Sequence, residues 1–215
     1  TDKNVLAPGE RVILENPGHE WVIEDIVPRR SRFSRRHPHH PHLEQIIAAN
    51  VDQVMIVVSA ERPGFRPDIT DRHLVAASAA GLTAMVLISK CDLVASSRAE
   101  DIAKRYRKLK IAILRAGLDD DAALERLKRD LLVGRTTVLV GQSGVGKSTL
   151  RNRLLPESAG RAPTAPVSEK SGEGRHVTTA GTFEPLSPRG FVVDTPGIRD
   201  LTPWGVGARD VQRHF

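Results

Sequence analysis

The chemistry easiest to read in this chain lies in Gly141-Gln142-Ser143-Gly144-Val145-Gly146-Lys147-Ser148-Thr149. The run fits the pattern of a glycine, four residues, then glycine, lysine and serine. Such a loop wraps consecutive backbone N–H groups around a phosphate, and a β-carbon at its glycines would obstruct the approach. Lys147 supplies positive charge to the β- and γ-phosphates, and Ser148 offers its hydroxyl to Mg²⁺. The helix that must follow points its positive end at the anion. These residues predict a bound nucleoside triphosphate.

Further groups of the same chemistry lie on either side. Asp194-Thr195-Pro196-Gly197 follows the apolar Phe191-Val192-Val193. An acid at such a strand end holds Mg²⁺ through water, so Asp194 is a metal candidate. Gly197 can bring a backbone N–H to the γ-phosphate. In between lie His176, Thr178 and Thr179. Either threonine could complete the Mg²⁺ shell, and His176 is the candidate for orienting the attacking water. Upstream, Ser89-Lys90-Cys91-Asp92 follows Met85-Val86-Leu87-Ile88. The Asp92 carboxylate can accept from the N1–H and 2-amino groups of guanine. The Lys90 stem can lie over the ring plane. These two residues favour GTP over ATP.

The elements that must position these groups alternate between strand and helix. Strands are expected at 11–14, 20–27, 54–58, 85–88, 111–114, 137–140 and 191–193. Helices are expected at 70–80, 97–109, 119–132 and 147–155. Short apolar runs without polar alternation are what a parallel sheet covered on both faces requires. The fold class is therefore α/β and doubly wound. Residues 156–181, rich in Gly, Pro, Ser and Thr, read as a long functional loop.

The 215 residues suffice for one medium domain and a small one, with 40% apolar and 27% charged side chains. No apolar run is long enough to span a bilayer, which excludes an integral membrane protein of the helical kind. No signal pattern opens the chain at Thr1-Asp2-Lys3-Asn4. The single cysteine, Cys91, excludes an internal disulfide and a multi-cysteine zinc site. That usage suits a reducing cytoplasm.

Lysine and arginine number 32 against 26 acids, a formal net charge of +6. The surplus points to an acidic partner, with nucleic acid first. It is concentrated in Arg29, Arg30, Arg32, Arg35 and Arg36, with Phe33 among them. Arginine suits phosphate, and an aromatic ring can stack on a base. The histidines from His37 to His42 are interrupted by prolines and read as a loop, with the domain boundary near residue 44.

The order of these motifs resembles that of the circularly permuted GTPases, and most closely the RsgA (YjeQ) family of ribosome small-subunit-dependent GTPases. In ordinary GTPases the N-K-x-D element follows the phosphate loop; here Ser89-Lys90-Cys91-Asp92 precedes it, with serine in place of asparagine. The resemblance extends over Pro8-Gly9-Glu10-Arg11-Val12, Val27-Pro28-Arg29-Arg30, Ala48-Ala49-Asn50-Val51-Asp52, His176-Val177-Thr178-Thr179 and Asp194-Thr195-Pro196-Gly197. It implies a small, partial OB-fold-like RNA-binding β domain over 1–44 and a circularly permuted P-loop GTPase domain over 45–215. It also implies GTP and GDP as ligands, the small ribosomal subunit and its rRNA as partners, Mg²⁺ as the ion that accompanies GTP, and a cytoplasmic, monomeric protein.

Several positions depart from the family pattern. Val177 replaces a switch threonine, and the serine of the family's S-A loop is missing at Arg115-Ala116. The family carries a cysteine/histidine zinc domain, whose ligands are absent from this sequence. Ras-like enzymes place a glutamine just after D-x-x-G, where Ile198 stands here. Slow intrinsic hydrolysis, stimulated by the small subunit, is the expected behaviour. The alternatives are a nucleotide-gated RNA-binding module without turnover, or an ATP-using P-loop enzyme.

Overall fold

The structure is a computed structural model, and it describes residues 6–18, 20–117, 120–156, 181–186, 189–195, 201–207 and 211. In chain order the elements are β1 (Val12–Glu15), β2 (Val22–Ile26), β3 (Arg32–Arg36), β4 (Glu44–Ala49), β5 (Gln53–Ser59), α1 (Pro67–Ala79) and β6 (Thr83–Ser89). There follow α2 (Ser96–Arg107), β7 (Ala112–Arg115), α3 (Asp121–Leu127), β8 (Thr136–Val140), α4 (Lys147–Leu154), β9 (Thr182–Pro185) and β10 (Phe191–Asp194).

Six strands form one sheet in the order β7-β6-β5-β8-β10-β9. All neighbours in it are parallel except β9, which pairs antiparallel with β10. The expected parallel sheet is therefore a mixed one with an antiparallel edge. Its chain order runs outward from β5 to β7 and then returns to β8 on the other side of β5. That reversal opens a crevice between β5 and β8 at their carboxyl ends, where α/β sheets bind ligands.

The apolar strands are covered on both faces. Val54, Ile56, Val58, Val86, Ile88, Val138 and Val193 join Leu74 and Ala77 of α1 and Ile102, Ala103 and Tyr106 of α2 in one core. Met55, Val57, Met85, Leu87, Leu139 and Val192 join Leu124 and Leu127 of α3 and Leu150 and Leu154 of α4 in the other. Successive strand residues point to opposite faces, which is why uninterrupted apolar runs were needed. Pro67 opens α1, where its missing N–H costs nothing. The Asp120 carboxylate caps α3 by accepting from the Ala123 N–H at 3.0 Å. The expected helix over 119–132 is α3 followed by a π-helical turn over Lys128–Leu132.

The N-terminal part forms two separate antiparallel pairs, β1 with β2 and β3 with β4. β3 is built from the basic run, and β4 begins at residue 44, so this pair crosses the expected domain boundary. Phe33 is fully buried in the same core as Leu74, Ala77 and Leu201. The expectation that its ring stacks on a base is thereby corrected, since neither face reaches solvent.

One buried polar group sets a pH limit on the fold. His73 of α1 is 1% exposed, and its Nδ1–H donates to the Ile69 carbonyl at 2.7 Å. Its buried Nε2 has no hydrogen-bond partner among the described residues. Burial, with the nearby charges of Lys147 and Arg72, lowers its pKa from 6.5 to about 4. The unfolded ring therefore takes a proton first, and stability falls as pH drops from 6.5 toward 4. The loss attributable to this group amounts to about 3 kcal/mol. Urea unfolding at stepped pH should show it, and His73→Leu should flatten that part of the profile.

Candidate nucleotide site

The phosphate loop leaves the end of β8 and enters α4 at Lys147. Gly141 has φ = 140°, and a β-carbon there would stand 2.2 Å from the Val57 carbonyl oxygen of β5. Gly146, at φ = 97°, precedes α4 in a left-handed conformation. Both positions require glycine, for the reason that made the motif readable. Val145 is buried in the core with Leu150, which anchors the loop from within. Ser143 is exposed, and Gln142, Gly144, Ser148 and Thr149 are half-buried along the rim.

Lys147 is buried, and its ammonium donates to the carbonyls of Gly141 at 2.7 Å and Gln142 at 2.8 Å. An ammonium has three N–H donors, so one is left for a phosphate oxygen. Burial lowers the Lys147 pKa, and the charge of Asp194 opposes that. Asp194 closes β10, opposite Leu139 of β8. Burial raises its pKa, against the attraction of Lys147 and Arg151. The neighbouring Thr195 hydroxyl donates to the Leu139 carbonyl at 2.7 Å and ties the strand end down.

The candidate base-recognition residues reach the same crevice from β6 and the turn that follows it. Ser89 is fully buried, with its hydroxyl 2.6 Å from the Val145 carbonyl and 3.0 Å from the Val58 carbonyl. One proton serves one carbonyl at a time, and the shorter contact is to the phosphate loop. Lys90 is in the left-handed region at φ = 55°. Its ammonium donates to the Gly144 carbonyl at 2.9 Å and to the carbonyl of Arg62. The Cys91 thiol donates to the Ile88 carbonyl at 3.1 Å, and burial raises its pKa. Asp92 lies in a short 3-10 turn over Cys91–Leu93. A β-carbon at Gly117 would stand 3.4 Å from its Oδ1, so the loop after β7 packs against the carboxylate. The Ala116 N–H donates to the Ile88 carbonyl at 3.0 Å, which fixes that loop beside β6.

The sequence-predicted residues Ser89 to Asp92, Gly141 to Thr149 and Asp194 thus lie at the carboxyl ends of β6, β8 and β10 and in the loops that leave them, with β5 between β6 and β8. His176, Thr178, Thr179 and Gly197 lie outside the described residues, as does Ile198. No three His, Cys, Asp or Glu side chains among the described residues are arranged to hold a metal ion. A hydroxyl and one carboxylate, Ser148 and Asp194, suit an ion that keeps most of its water and binds phosphates, as Mg²⁺ does. An open groove of about 910 Å³ lies elsewhere, lined in part by Arg36, Asp71, Arg72, Val75, Pro203 and Val206. It contains none of the motif residues.

The basic run is partly neutralised from within. Arg29 pairs with Glu10 at 2.7 Å, Arg30 with Asp52 at 2.9 Å and Arg32 with Glu44 at 2.7 Å. Arg35 donates to Gln45 at 2.9 Å. The side chains of Arg30 and Arg32 stay more than half exposed, 66% and 51%. Their ion pairs are of the weak solvent-screened kind.

A glycine-rich loop at the switch point of a doubly wound sheet, with Asp194 at the end of the neighbouring strand β10, defines a P-loop nucleotide-binding protein. The profile of the RsgA GTPase family matches residues 26–204. The chain belongs to that family of GTP hydrolases, and its motif order is the permuted one. It is 38% identical over 213 residues to the small ribosomal subunit biogenesis GTPase RsgA of Gemmatimonas aurantiaca, covering 98% of this chain and 68% of that protein. It is 35% identical over 221 residues to the protein of the same name from Chlorobaculum parvum, covering 99% and 70%. Among solved structures it is similar to YjeQ from Thermotoga maritima, with TM-score 0.72 and 26% identity over 100% of this chain and 69% of that one. The fold is also that of YloQ, described as a circularly permuted GTPase, at TM-score 0.65 and 23% identity, covering 100% and 65%.

Ser89 stands where the family pattern has asparagine, and its hydroxyl braces the phosphate loop. Ser89→Ala leaves a buried carbonyl unsatisfied, which costs about 1–3 kcal/mol. A fluorescent GDP analogue should bind the variant about tenfold more weakly. Ser89→Thr, which keeps the hydroxyl, should bind close to the parent.

Proposed function

We propose that this chain hydrolyses GTP to GDP and phosphate as an assembly or maturation factor of the small ribosomal subunit. The observation that carries the reading is the double brace from the base-recognition strand to the phosphate loop, Ser89 to Val145 and Lys90 to Gly144. It unites a carboxylate suited to guanine and a loop suited to phosphate in one crevice. The family's relatives bear the name of small ribosomal subunit biogenesis GTPases, which supplies the partner in this reading.

In this reading Asp92 accepts from the guanine edge, and Lys147 with the loop N–H groups neutralises charge on the transferring phosphoryl group. Ser148 and Asp194, with Thr178 or Thr179, would hold Mg²⁺, and Gly197 would contact the γ-phosphate. The ion supplies charge neutralisation across the phosphates. His176 orients the attacking water, a task the Ile198 side chain cannot perform by hydrogen bonding. The arginines Arg29, Arg30, Arg32, Arg35 and Arg36 contact rRNA phosphates, with affinity falling steeply as salt rises. The reading divides the chain into an RNA-facing β unit up to about residue 44 and a GTPase unit beyond it. Among the described residues no helix is long and apolar enough to cross a membrane.

Phosphate release from GTP tests this directly, measured with and without purified small ribosomal subunits. Slow turnover that rises at least tenfold with subunits is expected, and His176→Ala should lose most of that rise. Turnover absent under both conditions would favour a module that only changes conformation with its nucleotide. Parental rates in His176→Ala would remove that residue from the mechanism.

A further inference from the structure

The phosphate-loop helix carries a second buried cation one turn beyond Lys147. Residues four apart share a helix face, so Lys147 and Arg151 look the same way. The Arg151 side chain is 4% exposed, and its Nη2 donates to Glu184 Oε1 of β9 at 2.6 Å. Glu184 lies opposite Val192 of β10, and Val192 packs in the core with Leu150 and Leu154 of α4. This face of the β9–β10 pair therefore looks at α4. Asp194 stands two residues beyond Val192, on the same face by strand alternation. Helix cations Lys147 and Arg151 thus oppose strand acids Asp194 and Glu184 in two steps. The charge of Arg151 reaches Asp194 as well.

A buried ion pair is a poor device for stability, because desolvation offsets most of its attraction and apolar replacements are often as stable. Its merit is directional: a short charge-assisted bond fixes two elements in one relation. Here the two elements are the helix that begins with Lys147 and Ser148 and the edge of the sheet that ends in Asp194. We propose that Arg151 and Glu184 are positioning residues for the metal–nucleotide complex, a strut that holds the Asp194 end of β10 in register with Ser148. The inference rests on the Mg²⁺–GTP reading of the site and adds two residues that no motif marks.

The test is a titration of the whole chain with a fluorescent GTP analogue across a series of Mg²⁺ concentrations, and with the matching GDP analogue in EDTA. Arg151→Met and Glu184→Gln should each raise the Mg²⁺ concentration needed for half-maximal effect about tenfold, with GDP affinity in EDTA within about twofold of the parent. Arg151→Lys should recover part of the loss. The apolar double variant Arg151→Met/Glu184→Leu should melt near the parent yet keep the raised Mg²⁺ requirement; it also serves where a single variant loses its fold. A parental Mg²⁺ requirement in the folded variants would overturn the strut alone. An equal loss of affinity in EDTA would also overturn it, because the loop itself would then be disturbed. A parent whose nucleotide binding ignored Mg²⁺ would overturn the metal reading, and the strut with it.

Discussion

A phosphate chain must be met by backbone N–H groups that come close without an obstructing side chain, and the rest of this structure depends on the turn that achieves it. Gly141 leaves β8 in a conformation that other residues rarely adopt, with the Val57 carbonyl where its β-carbon would be. The turn is then held from three directions. Val145 is buried below it, Ser89 and Lys90 brace its carbonyls from β6, and Lys147 folds its ammonium back onto its first two carbonyls. A loop restrained in this way has little conformational entropy left to lose on binding an anion.

The braces explain why chain order and site geometry can part company. The candidate base-recognition residues precede the phosphate loop in the chain, yet only β5 stands between their strand and β8. What the site needs is adjacency of strand ends, and hydrogen bonds between loops provide it whatever the connection. The same reasoning gives the edge of the sheet its importance. β9 and β10 rejoin the sheet after a long connection, and β10 carries Asp194. Val192 packs β10 against Leu150 and Leu154 of α4, and the Arg151–Glu184 pair adds a directional tie between α4 and β9.

Much of this is legible in the amino-acid sequence. The phosphate loop was readable because its requirements are steric and local. The strands expected at 54–58, 85–88 and 137–140 were readable because both faces are covered, which fills most of each run with apolar residues. β3 was not, because four of its five residues are polar and only Phe33 marks its buried side. That aromatic looked like a stacking platform beside arginines, and it is a core residue. The partners Glu10, Asp52 and Glu44 that temper the arginines are set by pairing and packing across the fold rather than by any pattern in the basic run. The role of Ser89 and the Arg151–Glu184 pair were hidden for the same reason, since both are contacts between segments more than thirty residues apart. The antiparallel course of β9 was hidden too, since four residues carry no signal of direction.

The central claim is that one crevice joins a phosphate loop to a guanine-reading carboxylate. Competition between GTP and ATP for the bound fluorescent nucleotide tests it most directly, on the parent chain and on Asp92→Asn. The account predicts that GTP displaces the probe from the parent at least a hundredfold more effectively than ATP, and that most of this preference disappears in the variant while phosphate-dependent binding persists. Equal displacement by ATP and GTP from the parent, or an unchanged preference in Asp92→Asn, would contradict it.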